Sequence, residues 1–353
     1  MYVEELSNEK EWEDFVTSAK AGTFYHSLKW KEVLQKSFPH RPFYLIIKNT
    51  DGRLVGISPG FIVDEFHNKI YYSTPYSDYG GPAIATGYIH QASFALLDFL
   101  KNPSSGGLAY AKFRITEKTL VNSLASPIGS TESIMGVMEI DLEATSTQFI
   151  WDHVFSGRRR KKFKQEERRG IQIREAQTRS DLRTFYELYS ENMTYIGAHP
   201  FPYRFMENIW DILSPSHVRI WIMENREPFA SKLFFKYGQK IFSAYFGLDR
   251  DRCPSGSDSY CYMTWAEMKR AEEEGFTQVS LGSTPSNPDD LYFVKKSSMG
   301  SSFHPQTVVW HPMSPFGRVL VRSRSKAALA WKTVRASLPT PLKTTLERKL
   351  AHL

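Results

Sequence analysis

Hydrophobic positions along the chain follow two periods, and each predicts its own kind of element. Trp12, Phe15, Val16 and Ala19 fall at i, i+3, i+4 and i+7, sharing one helical face and predicting a helix over 8–19. Ser27 is placed to cap a second, short helix, "LKWKEVLQKSF". Two strand-like runs follow, "FYLIIK" and "RLVGISPGFIV", joined by the turn signal "NTDG". "KIYYS" reads as a third strand, 88–100 as a helix and "LAYAKFRI" as a fourth strand.

The second half repeats that order. "VRIWIM", "FASKLFFKYG" and "KIFSAYFG" predict three strands with tight turns, "SDSYCYMTWAEMKRAEEEG" a helix stopped by Gly275, and "TQVSLG" a strand. The turns near Asp51 and Asn225 lie 174 residues apart, about half the chain. Self-similarity at that distance argues for a duplicated α+β domain, since solenoid repeats run only about 20–50 residues. Between the halves, "TSTQFIWDHVFSGRRRKKFKQEERRG" predicts one long helix ending at Gly170, with further helices over 179–196 and 203–213.

The 353 residues, 41% hydrophobic and 14% aromatic, suffice for two well-packed cores and exclude a disordered chain. No apolar run approaches the roughly 18 residues of a membrane span, and "MYVEELSNEKEWEDF" is too acidic for a signal peptide. Cys253 and Cys261 form no CxxC and no His pair has metal-ligand spacing, so a reduced, cytoplasmic setting without a structural metal is expected. The net charge of +7 is unevenly spread. Residues 157–170 carry +6 and the stretch from Met313 to the end +8, leaving −7 for the remainder. Two concentrated cationic elements on an acidic body imply a polyanionic partner: RNA, a phosphorylated substrate or an anionic lipid surface.

One ordered set of motifs resembles a family. "SLKWKEVLQKSFPHRPFYLIIKNTDGRLVGISPGFIV", "PYSDYGGPAI", "RRRKKFKQEERRGIQIRE" and "LYFVKKSSMG" are similar, in that order, to segments of the Fem-type transferases, over roughly residues 10–312. Those enzymes join an amino acid from aminoacyl-tRNA to an amine of a peptidoglycan precursor. The resemblance implies an α+β fold of two tandem GNAT-like domains, with mixed sheets flanked by helices. The first would span 1–146, completed by about 304–320, and the second 147–303. Residues 321–353 would form a basic helical tail outside the resemblance, suited to docking on the body or to peripheral contact with the inner membrane face.

Amide formation from an aminoacyl ester requires alignment of amine and carbonyl, and a cation for the oxyanion. The family's phenylalanine–lysine signature falls four residues before a glycine, which lands on Lys296; here Lys295 stands where the phenylalanine is usual, so either lysine could face the site. Asp78 corresponds to an aspartate-bearing turn beside the acceptor site, where acceptor binding is favoured over base catalysis because exposed carboxylates are weak bases. Tyr76 and Tyr79 would wall that site, and Gly80 would let a substrate approach the backbone. Lys31 sits where relatives place a cation for the acceptor's phosphate or carboxylate. His199 and Arg204 replace a stretch carrying an acceptor-binding arginine. Strand alternation along "KIFSAYFGLD" puts Tyr245 with Ser243 on one face, open to a site or packed in the core.

The basic run Arg158, Arg159, Arg160, Lys161, Lys162 and Lys164 surrounds its helix, suggesting phosphate contact with tRNA or a diphosphate-linked acceptor. The resemblance implies aminoacyl-tRNA as the co-substrate, with no resident cofactor expected and an amine-bearing, phosphorylated or lipid-linked acceptor. Two rivals remain open. An acyl-CoA-dependent N-acyltransferase would need a glycine-rich pyrophosphate loop, and "DRDRCPSGSDSYCY" offers only Gly256. A non-enzymatic RNA- or anion-binding protein would have no use for the Asp78 turn or the lysine pair.

Overall fold

The computed structural model describes residues 1–19, 21–65, 67–286 and 290–323. The chain forms two compact units, Met1–Ile134 with the chain from Pro305 onward, and Met135–His304. The tail helices expected from "KAALAWKTVRASL" and "LKTTLERKL" lie outside the described residues.

In the first unit, β1 (Tyr2–Glu5) and α1 (Glu9–Ser18) lead to α2 (Leu28–Ser37), β2 (Arg41–Pro42), β3 (Leu45–Lys48), β4 (Leu54–Ser58), β5 (Phe61–Glu65) and β6 (Asn68–Tyr72). They are followed by β7 (Ala83–Ile84), α3 (Ile89–Lys101), β8 (Tyr110–Ile115), α4 (Lys118–Ala125) and the start of β9 (Ser130–Asp141). The helix starts follow local chemistry. The Asn8 side chain accepts from the Lys10 and Glu11 amides, and Ser27 Oγ from that of Trp30. On α1 the predicted stripe turns Trp12 and Val16 into the core.

The run "RLVGISPGFIV" is not one strand. It breaks at Pro59-Gly60 into β4, in the sheet β1-β3-β4-β7, and β5, in the sheet that runs β8-β6-β5-β2. Gly60 makes the corner possible, because a Cβ there would stand 2.2 Å from the Tyr71 ring. β6 and β8 run parallel from Ile70↔Tyr110 to Tyr72↔Lys112, joined by a crossover through α3. The core gathers Phe43, Leu45, Tyr71, Leu96 and Phe113, all at most 2% exposed, each worth roughly 1.5–3 kcal/mol on burial.

The second unit contains the end of β9, α5 (Thr147–Phe149), α6 (Gly157–Arg168), β10 (Gln172–Glu175), α7 (Arg179–Tyr195) and α8 (Tyr203–Leu213). Then come β11 (Val218–Asn225), β12 (Glu227–Tyr237), β13 (Lys240–Leu248), α9 (Ser259–Glu273), β14 (Gln278–Pro285), α10 (Asp290–Met299) and β15 (Ser302–Pro312). β15 passes back into the first unit, where its Thr307–Pro312 segment pairs antiparallel with β8. The sheet order here is β10-β11-β12-β13-β14-β9.

The long helix expected between the halves is interrupted. α5 runs into a π-helical turn, Ile150–Val154, the chain extends at Phe155 and Ser156, and Ser156 Oγ then caps α6 through the Arg159 amide. "SG" ahead of the basic run is a start signal, and the charge pattern masks it. β13 and β14 are parallel and joined through α9, as β6 and β8 are through α3, so the duplicated order in the sequence is a duplicated crossover.

Candidate active site

The turn that follows β6 holds Asp78. Thr74 and Tyr76 both take positive φ, 45° and 59°, which bulky residues avoid at a cost of order 1–3 kcal/mol each. A dense set of hydrogen bonds keeps them there. Ser73 Oγ donates to Pro59 O (2.9 Å) and accepts from Gly81 N (3.0 Å), while Thr74 Oγ1 donates to Tyr79 O (3.1 Å). Trp30 Nε1 donates to Ser77 Oγ at 2.8 Å and Arg114 Nη1 to Ser77 O at 2.5 Å. Gln306 Nε2 reaches Asp78 O at 2.5 Å, and Tyr25 Oη donates to Asp78 Oδ2 at 3.3 Å. Two consecutive residues are thereby gripped from the Phe24–His26 turn, α2, β8 and β15.

His26 closes the far end of the turn. Its Nδ1 accepts from the Thr23 amide (3.3 Å), which puts the ring proton on Nε2, facing Gly81 O at 3.1 Å. Burial pushes the His26 pKa down to about 4, so the ring is neutral at physiological pH. Asp78 is half-buried and lies between two tyrosines of the turn. Tyr76 is exposed, stacks on Phe38 at 4.1 Å and has its Oη 2.9 Å from His40 Nε2; Tyr79 is buried and stacks on Tyr25 at 5.9 Å. A half-buried carboxylate with acceptor capacity left beside one tyrosine hydroxyl suits an ammonium or amine.

Gly80 has a different role from the one expected. A Cβ there would lie 2.1 Å from Thr74 Oγ1, so the missing side chain is replaced by close packing within the turn and not by an opening for substrate. Lys31 stands with Nζ 5.4 Å from the centre of the Tyr44 ring.

In the second unit, β13 and β14 pair only from Lys240↔Gln278 to Phe242↔Ser280, although both strands continue. β13 is bulged where Leu233 faces Tyr245 but Phe234 faces Ser243, leaving Ala244 as the extra residue. The bulge resets the alternation, so Ser243 and Tyr245 lie on opposite faces, contrary to the sequence reading. Tyr245 packs edge-on against Tyr189, Phe201 and Phe205. Ser243 joins a buried polar cluster: its Oγ lies 2.8 Å from both oxygens of Glu267, which also pairs with Lys232 Nζ at 2.5 Å. Lys232 donates in addition to Thr264 Oγ1 at 2.9 Å.

The loop before α9 is tied down. The Asp258 amide points at Glu166 Oε1 (3.4 Å), the Asp258 carboxylate lies 3.4 Å from Arg159 Nη1, and Arg169 Nη2 donates to Ser255 O at 3.0 Å. Arg160 Nη1 lies within 2.8–3.1 Å of the carbonyls of Trp151, Asp152 and Phe155, capping the π-helical turn. Arg160 thus holds the π-helical turn and Arg159 faces Asp258, so the basic side chains do not radiate evenly. Arg158, Lys161 and Lys164 are exposed and Lys162 is half-buried.

The lysine pair divides sharply. Lys295 is buried, its Nζ bonded to Ser283 O (3.2 Å) and Thr284 Oγ1 (2.9 Å), whereas Lys296 is exposed and bonded to Tyr292 Oη at 3.3 Å. His199 is exposed; Arg204, also exposed, lines a groove of about 730 Å³ with Arg179, Arg183 and Asp211.

The sequence profile of the GNAT acetyltransferase domain matches residues 157–290, the segment holding the bulge and the partial β13–β14 pairing. The fold is a tandem GNAT-like one. Solved structures share it at low identity. FemX aligns at TM-score 0.70 and 16% identity, over 91% of this chain and 100% of its own. A tandem GNAT protein from the clavulanic acid biosynthesis pathway aligns at 0.59 and 9%, over 89% and 98%. The C-terminal domain assigned to a lysylphosphatidylglycerol synthetase of Agrobacterium fabrum aligns at 0.56 and 11%, over 90% and 95%. Among curated proteins, none matches the chain in sequence.

Within this GNAT-like frame, the Asp78 turn and the loop before α9 are counterparts. Each leaves the first strand of a parallel pair and leads into the crossover helix. Open α/β sheets bind ligands at the carboxyl ends of such strands. Sequence reasoning missed Tyr25, Arg114 and Gln306, which lie outside the quoted motifs, and gave no role to Trp30, which lies inside one. Lys232 did leave a signal, a cation inside the apolar strand "FASKLFFKY".

Proposed function

We propose that the protein is an acyltransferase that moves the aminoacyl group of an aminoacyl-tRNA onto an amine of a cell-envelope precursor, such as a peptidoglycan peptide. The observation that carries this reading is the Asp78 turn: strained backbone, clamped at two successive residues, with its carboxylate bonded by the Tyr25 hydroxyl. The tandem GNAT-like fold supports it, as does the likeness to FemX and to a domain assigned to lysylphosphatidylglycerol synthesis.

In this reading Asp78, with the Tyr25 hydroxyl behind it, holds the acceptor amine. The amine nitrogen attacks the ester carbonyl carbon, the C–N bond forms, the C–O bond to the ribose breaks and the ribose hydroxyl leaves. The amine gives up its proton to solvent. Lys296, exposed on α10 of the second unit, is the cation that the family signature assigns to the acyl donor. A lipid-linked acceptor would bring the protein to the inner membrane face, where the +8 charge of the stretch from Met313 suits an anionic surface.

The start of α9 supports this choice of donor over an acyl-CoA. A CoA pyrophosphate would need the helix N-terminus. Here the Asp258 amide already faces Glu166, which is 1% exposed, and two carboxylates would oppose the phosphates. The test uses tRNA charged with labelled amino acids together with peptide-bearing envelope precursors, quenched in mild base. Ester-linked label is released and amide-linked label remains. Base-stable product from charged tRNA is expected; base-stable product from acetyl-CoA alone overturns the reading.

A further inference from the structure

We infer that the outer face of α6 is a docking surface for the phosphodiester backbone of RNA, formed by Arg158, Lys161, Lys164 and Arg168. The inference rests on the donor assignment above and locates where that donor's RNA is held.

Eight basic residues in "GRRRKKFKQEERRG" look interchangeable in sequence, and the fold sorts them. Arg159, Arg160 and Arg169 point to Asp258, to the π-turn carbonyls and to Ser255. Phe163 and Glu166 fill the inner face. The four exposed cations recur at spacings of three, three and four residues, which places them in one row about 15 Å long at 1.5 Å per residue. A nucleic-acid strand carries a phosphate about every 3.4 Å of axis, so the row spans roughly four phosphates. Among the described residues none of the four has an ion-pair or hydrogen-bond partner, and Glu167 is the one exposed carboxylate on the helix, at its flank.

The same face argues against a membrane. An interfacial helix inserts apolar side chains, and α6 exposes none. The absence of exposed aromatic side chains on α6 also removes base stacking. Contact is therefore with phosphates, independent of sequence and steeply dependent on salt.

The experiment uses the full chain and a short fluorescent RNA duplex, with affinity measured by anisotropy across a salt series. The variant Lys161→Ala/Lys164→Ala/Arg168→Ala should lose more than about tenfold in affinity, and its log–log salt slope should flatten by about 2–3. Arg160→Ala should lower the melting temperature and leave that slope unchanged. A folded triple variant that binds RNA like wild type overturns the inference. So does wild type that ignores RNA and binds phosphatidylglycerol vesicles through this row. If RNA binding maps to the row but charged tRNA yields no base-stable product, the transferase reading fails and the surface stands. Product formed with the row neutralised and RNA affinity intact does the reverse.

Discussion

Gln306 and Asp78 stand 228 residues apart in the chain, yet the side-chain amide of one donates to the backbone carbonyl of the other at 2.5 Å. The contact links β15, which re-enters the first unit after the whole second unit, to the turn that presents the proposed acceptor carboxylate. Gln306 is 2% exposed, and its Oε1 has no hydrogen-bond partner among the described residues. Gln306→Leu removes this donor to the Asp78 carbonyl, at a cost of about 1–3 kcal/mol. Removal of the unpartnered Oε1 offsets part of this, so a loss near the lower end is expected in chemical denaturation. The transfer rate should fall by more than the stability change explains.

Adjacent lysines should give opposite phenotypes. Lys295→Ala removes a buried cation that bonds Ser283 and Thr284, so it should destabilise the fold by about 1–3 kcal/mol. Lys296→Ala, at an exposed position, should leave the melting temperature within about a degree and reduce kcat by about tenfold or more. Thermal melts and single-turnover rates on the two variants decide it.

Lys232 and Glu267 form an ion pair whose side chains are 2% and 1% exposed. Breaking it from one side strands a charge, so Lys232→Met or Glu267→Gln should each cost about 3–5 kcal/mol. The double variant Lys232→Met/Glu267→Gln should recover part of that loss, and a double-mutant cycle by urea denaturation reads the coupling. Additive losses would show that the pair is not coupled.

Stability should depend on pH through His26. Its folded pKa is about 4, lowered chiefly by burial from an ordinary 6.5. The unfolded chain therefore takes up the proton first as pH falls. Stability is full above about pH 6.5 and declines by roughly 3 kcal/mol down to about pH 4, below which this group contributes no further change. His26→Gln should flatten the curve across that window, measured as the difference from wild type at each pH.

The helices were legible because caps and apolar periods are local. Ser27 and Gly275 mark ends that the structure keeps. The corner at Gly60 was hidden, since a run of apolar residues says nothing about which sheet each half joins. The bulge at Ala244 was hidden too, and a one-residue insertion reverses every later position on the strand. For the candidate site, Asp78 was visible through its unusual neighbours. Its supports were not, because Tyr25, Arg114 and Gln306 act through contacts between distant segments. Lys295 and Lys296 differ by about 100° of helical rotation, and sequence alone left open which one turned inward.

The most direct test of the account is the rate of base-stable label transfer by Asp78→Asn. Asparagine keeps the size and the clamped backbone but removes the charge that holds the amine. The account predicts an unchanged melting temperature and a fall of about a hundredfold in kcat/KM for the acceptor. A folded Asp78→Asn variant that transfers label at the wild-type rate would contradict it.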